Sequence, residues 1–130
     1  MSKGSLLLAD DDLLIRRLLQ PHLERAGFRT LVVDNGADAW DLIMKEGPDL
    51  IILDIEMPEI DGLGLLRLLK SMPATKSIPV IIISASYDAP LRDEAKNLGA
   101  IGFLTKPFGP AQLLDEIHWA EDYKRLTSIS

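Results

Sequence analysis

The chain has 130 residues, 47% of them hydrophobic and 26% charged, with a formal net charge of −6. Such a composition fits one folded domain with its own core and excludes a disordered segment. The absence of cysteine excludes disulfides, zinc thiolate sites and thiol catalysis; the acid excess argues against a broad nucleic-acid footprint, and no apolar run reaches the ~20 residues of a membrane span.

The N-terminal residues carry no apolar signal-peptide region, so a cytoplasmic location is expected. The apolar run Ser5–Ala9 reads as a first strand and closes on Asp10-Asp11-Asp12. Residues 13–26 carry Leu14, Ile15, Leu18, Leu19, Leu23 and Ala26 at helical spacing, with Pro21 expected to kink the helix and Gly27 to end it. A second strand is predicted over 30–33 and a second helix over 37–46, with Ala39, Trp40 and Ile43 inward and Gly47-Pro48 as the break. The third strand, 50–53, runs straight into Asp54 and a loop holding Pro58 and Gly62.

A third helix over Gly62–Ser71 carries Leu65, Leu66 and Leu69. The fourth strand spans 78–83 and is followed by Ser84 and Ala85. Pro90 suits the first turn of a fourth helix that runs to Leu98 and stops at Gly99. The fifth strand, 101–104, leads to Lys106-Pro107, and a fifth helix runs from Pro110 to about residue 124. Strands that are continuous Val, Ile and Leu runs are covered on both faces. Their alternation with helices predicts an α/β fold, a three-layer doubly wound parallel sheet of five β–α units. Strand order 2-1-3-4-5 is expected, with the crevice between strands one and three.

In such sheets the chemistry lies at the carboxyl ends of the strands, where Asp10, Asp11, Asp12, Asp54, Ser84 and Lys106 all fall. The acid triplet has two readings. One Asp suffices to cap the helix, and Asp12 is placed for that. Three crowded carboxylates repel unless a cation joins them, which suits a hard ion such as Mg²⁺. Asp54 alone would pass for a turn-forming residue; beside other acids and a lysine it is a candidate carboxylate nucleophile whose product is an aspartyl phosphate. Ser84 and Lys106 are individually weak signals. Together they are a hydroxyl and an ammonium able to reach the oxygens of a phosphoryl group. Pro107 makes the Lys106–Pro107 bond a candidate cis peptide. His22 and His118 fall on helices one and five and read as ordinary boundary histidines.

Four segments in this order resemble the receiver domain of two-component response regulators, with its flavodoxin-like strand order. They are Leu8-Ala9-Asp10-Asp11-Asp12, Leu53-Asp54-Ile55-Glu56-Met57-Pro58 with Asp61-Gly62, Ile83-Ser84-Ala85, and Leu98-Gly99-Ala100 through Phe103-Leu104-Thr105-Lys106-Pro107-Phe108. The resemblance covers about residues 5–124, as a single domain within 1–130. It implies that Asp54 accepts a phosphoryl group from the phosphohistidine of a histidine kinase or histidine phosphotransfer protein. It implies that Asp10, Asp11, Asp54 and the backbone carbonyl of Glu56 hold Mg²⁺, with Mn²⁺ as a substitute. Ser84, Ala85 and Lys106 then bind the phosphoryl group, and Phe103 is the aromatic switch. Glu56 and Ser86 occupy the two positions that tune dephosphorylation. Helix four, strand five and helix five would form the face that controls an output partner or a homodimer. No enzymatic turnover beyond the domain's own phosphorylation and dephosphorylation is expected, and no nucleic acid or membrane contact.

Two competing readings remain at this point. Phosphatases of the haloacid dehalogenase type use a similar set, and Asp54-x-Glu56 faintly mimics their paired acids, although their nucleophile usually lies on the first strand. A receiver that has become a docking module is the other. On helix five, Leu113, Leu114, Ile117 and Ala120 form the inward face. Trp119 and Tyr123 are expected to stack as an exposed ridge with Gln112 and Asp115 on the same side, a candidate partner surface.

Overall fold

The computed structural model describes residues 4–57, 61–86 and 88–129, the last five of these by backbone alone. Pro58 of the Asp54 motif and the first three residues lie outside the described residues. The elements are β1 (Ser5–Ala9), α1 (Leu13–Arg25), β2 (Arg29–Val33), α2 (Gly36–Glu46), β3 (Leu50–Asp54), α3 (Gly62–Ser71), β4 (Val80–Ser84), α4 (Ala89–Asn97), β5 (Gly102–Thr105) and α5 (Pro110–Ile129). The strands form one parallel sheet in the order β2-β1-β3-β4-β5, as expected from the alternation of apolar strands and amphipathic helices.

Strand side chains alternate between two cores. Leu7, Ala9, Ile51, Leu53, Val80 and Ile82 pack with Ala39 and Ile43 of α2, Leu65, Leu66 and Leu69 of α3, and Ala95 of α4. Leu6, Leu8, Leu50, Ile52, Ile81 and Ile83 pack with Leu19 and Leu23 of α1 and Leu113, Ile117 and Ala120 of α5. β1, β3 and β4 are therefore apolar on both faces, which is why they read as continuous runs. Truncating one of the buried leucines or isoleucines to Ala would cost roughly 2–5 kcal/mol.

Local chemistry sets the element ends. Asp12, Asn35 and Asp61 each accept a hydrogen bond from a backbone N–H in the first turn of α1, α2 and α3. After α1, Gly27 at φ 104° lets its own N–H reach Glu24 and that of Phe28 reach Leu23, a paired closure that needs a left-handed residue. Several boundaries differ from expectation. β4 begins at Val80 rather than at 78, because the Ile78 N–H closes a turn onto Thr75 and Pro79 has no N–H to give. β5 is shifted by one residue because Thr105 pairs with Ser84. α1 stays helical through Pro21 to Arg25, and α5 runs on to Ile129 rather than stopping near 124. The α1 pattern mixes two faces: Leu19 and Leu23 are buried, while Leu14 and Leu18 point to solvent at 77% and 48% exposure.

Candidate acidic site at the strand ends

Sheet register brings the candidate residues together. Ala9 lies beside Leu53, Asp54 beside Ile83, and Ser84 beside Thr105, so Asp10, Asp54, Ser84 and Lys106 share one rim. The chain then turns tightly over the rim. A Cβ at Gly62 would run into Ile55 Cα and stand 2.9 Å from the Asp54 carbonyl oxygen, so only glycine lets α3 begin against the end of β3.

Lys106 is the hub. Its Nζ donates to Asp54 Oδ2 at 2.9 Å and to Asp10 Oδ1 at 3.3 Å, and stands 3.0 Å from Asp10 Oδ2. Asp10 and Asp54 are almost wholly buried. Each carboxylate also takes a backbone hydrogen bond two residues on, Asp10 from the Asp12 N–H and Asp54 from the Glu56 N–H, both at 2.9 Å. Burial pushes the Asp10 carboxyl up to about 6; the Asp12 N–H opposes this, the charge of Asp54 adds to it, and Lys106 again opposes it. For Lys106, burial acts to lower the pKa, but the hydrogen bonds to Asp54 and Asp10 and the charges of both outweigh it and leave the ammonium above its ordinary value.

Carboxylate oxygens of Asp10, Asp11 and Asp54 lie within 4.8 Å of one another, the one such acidic group among the described residues. Asp10 Oδ2 is buried and has an ion contact but no hydrogen bond. Hard oxygen donors of this kind, two buried and one exposed, fit a divalent cation that keeps part of its water. Asp12 stands apart from the group: its carboxylate caps α1 by accepting from the Leu14 N–H at 2.9 Å.

Across the rim, the buried Ser84 hydroxyl accepts from the Ser86 N–H at 3.0 Å and donates to Glu56 Oε1 at 2.6 Å. The same Glu56 oxygen accepts from the Ala85 N–H at 2.9 Å. Sequence reasoning put Glu56 near the site through its backbone and its tuning position, but missed this side-chain contact. The one available signal was an acid two residues past Asp54. The Lys106–Pro107 bond is cis.

The other candidates lie elsewhere. Phe103, half-buried on β5, has the Arg92 guanidinium 5.3 Å from its ring centroid. Arg92, Phe103, Glu116 and Trp119 help to line a cleft of about 530 Å³ that includes none of the rim acids. Trp119 and Tyr123 are exposed on α5, but their ring planes meet at 52° with centroids 6.1 Å apart. They form a tilted edge contact rather than the expected stack. At their spacing along the helix each ring leans over the preceding turn, so parallel overlap is not reached. His22 on α1 and His118 on α5 are not among the rim residues.

The sequence profile of the response regulator receiver domain matches residues 6–118. The transcriptional regulatory protein GltR of Pseudomonas aeruginosa is 42% identical over 113 residues, which are 87% of this chain and 47% of GltR. Sporulation initiation phosphotransferase F of Bacillus subtilis is 34% identical over 117 residues, covering 90% of this chain and 93% of that protein. Among solved structures, the chemotaxis response regulator CheY4 of Vibrio cholerae superposes with a TM-score of 0.84 at 27% identity, over 90% of this chain and 98% of CheY4. The chain belongs to the response regulator receiver family of two-component signalling. It spans about half the length of GltR and smaller shares of several other relatives, so it corresponds to one part of those longer regulators. Family membership sets aside the dehalogenase-type phosphatase reading.

Proposed function

We propose that the chain is one phosphoacceptor receiver domain, and that Asp54 takes a phosphoryl group from the phosphohistidine of a histidine kinase or a histidine phosphotransfer protein. The carrying observation is the rim itself: a buried Asp54 held by Lys106 Nζ at 2.9 Å within a group of three carboxylates. In the transfer, an Asp54 oxygen attacks phosphorus in line. The P–N bond of the donor breaks, and the imidazole leaves with the electron pair. Lys106 offsets charge on the transferred group, and the Ser84 hydroxyl and Ala85 N–H would donate to its oxygens. Mg²⁺, or Mn²⁺ in its place, would be held by Asp10, Asp11, Asp54 and the Glu56 backbone carbonyl and would neutralise phosphoryl charge. The chain itself turns over no other substrate.

Recruiting Ser84 to a phosphoryl group frees space beside β4 for Phe103. The α4–β5–α5 face then changes shape and controls an output segment or a partner protein, including a second copy of the chain. A cytoplasmic location fits a domain that meets kinases and regulators; among the described residues no helix is long and apolar enough to cross a membrane. The test is mass spectrometry of the protein treated with Mg²⁺ and a small acyl phosphate or a phosphohistidine donor. One added phosphoryl is expected on the wild type and none on Asp54→Asn; equal labelling of the variant would sink the assignment.

A further inference from the structure

The donors that would meet a phosphoryl group on Asp54 are already engaged. Glu56 Oε1 accepts from both the Ser84 hydroxyl, at 2.6 Å, and the Ala85 N–H, at 2.9 Å. Ser84 has no second proton to offer. Its oxygen receives the Ser86 N–H, which leaves its one O–H aimed at Glu56. A single anionic oxygen bonded by a hydroxyl and the next backbone N–H is the arrangement a phosphoryl oxygen would need at this rim. Glu56 is tethered beside the acceptor, since its own N–H bonds Asp54 Oδ1 at 2.9 Å.

A surface acid capping the end of a strand is the plain alternative. Two features weigh against it. The hydroxyl engaged is wholly buried, so its partner is part of the site rather than of the solvent shell. Glu56 itself is exposed, so its carboxylate can leave the cradle for water without moving the backbone that carries it. A bound but releasable anion is a competitor.

We infer that the Glu56 carboxylate is an internal occupant of the oxyanion cradle of Ser84 and Ala85, and that a phosphoryl group on Asp54 gains those donors only by displacing it. The inference rests on Asp54 being the acceptor. Glu56 thereby weakens capture of the phosphoryl group and keeps Ser84 engaged in the unmodified domain. Its charge also lies near the acids, so occupancy has to be separated from simple repulsion. Glu56→Asp does this: it keeps the charge but shortens the side chain by one methylene, so the carboxylate no longer spans to both donors.

The experiment titrates beryllofluoride, a carboxylate-bound phosphoryl mimic, into the full chain with Mg²⁺, read by ¹⁹F NMR of the bound species. Wild type, Glu56→Ala, Glu56→Asp and Asp54→Asn are compared, with circular dichroism to verify folding. Both Glu56 variants are expected to bind about tenfold more tightly than wild type, the change that about 1.4 kcal/mol produces, while Asp54→Asn binds none. If Glu56→Ala is no tighter than wild type and Asp54→Asn still fails to bind, the inference falls and the acceptor assignment stands. If Glu56→Ala gains affinity but Glu56→Asp does not, the effect is repulsion by charge, and occupancy is again overturned. Binding by Asp54→Asn equal to wild type would overturn the acceptor assignment and this inference with it.

Discussion

At the rim of the sheet, Asp10, Asp54 and Ser84 are buried and answer one another through Lys106 and Glu56. On α5, Trp119 and Tyr123 stand 53% and 48% exposed and meet only as a tilted pair beside a cleft. The contrast lies in how much each region constrains its explanation. Burying carboxylates is unfavourable unless a positive group joins them, so the rim demands a cationic partner, which Lys106 supplies to both buried acids. Exposed aromatics cost little where they stand, and an interface is one of several reasons for them.

Interdependence is the property that separates the two regions, and Lys106 is the strongest lever on it. Lys106→Ala leaves two buried carboxylates without their ammonium and should destabilise the metal-free fold by on the order of 3 kcal/mol. Combining it with Asp54→Asn should recover part of that loss, because one uncompensated charge disappears. Thermal or urea unfolding of the single and double variants measures this. Losses that simply add would show that the rim is a set of independent contacts.

A second lever divides the acid triplet. Asp11→Ala removes one of three clustered carboxylates and should weaken Mg²⁺ binding by at least about tenfold, or about 1.4 kcal/mol. Asp12→Ala should leave Mg²⁺ affinity near wild type and instead lower stability by ~1 kcal/mol, the value of a helix cap. Calorimetric titration and unfolding curves on both variants suffice, and an exchange of the two outcomes would refute this division.

A third prediction sits where the regions meet. Phe103 lies beneath Arg92 in the unmodified domain, with the guanidinium 5.3 Å from the ring. An aspartyl phosphate mimic should draw Ser84 off Glu56, turn Phe103 inward and part it from Arg92. Structures with and without the mimic would show the ring move. If Phe103 keeps one rotamer and its Arg92 contact, signal leaves the rim by another route.

These cases also show what the sequence could and could not display. The strand order and the rim were legible because strand ends, apolar runs and Gly or Pro breaks are local signals, and the parallel topology then brings distant ends together. Asp12 as the cap of α1 was equally local. The reach of Glu56 to Ser84 and Ala85 was not, because it depends on a side-chain rotamer across two strands. β5 and the far end of β4 moved because partner register decides where a ladder stops, whereas the start of β4 moved because of the turn at Ile78 and the missing N–H of Pro79. The outward turn of Leu14 and Leu18 was hidden by a helix that is apolar on more than its buried face.

The smallest effect is expected on α5. Leu113, Ile117 and Ala120 are buried against the sheet, and Leu114 packs partly against the same core, which fixes the helix and puts Trp119 on its outer side. Trp119 also lines the cleft that Arg92 and Phe103 share. A change in the Phe103 ring would therefore alter the wall beside an exposed indole, the residue type that most often anchors an interface. Trp119→Ala should weaken phosphorylation-dependent self-association, or docking of an output partner, by about 1 kcal/mol, roughly fivefold in Kd. Size-exclusion chromatography and partner pull-down of wild type and variant, each with and without the phosphoryl group, measure it. A variant that keeps its fold and associates like wild type in every state would reduce Trp119 to a wall of the cleft.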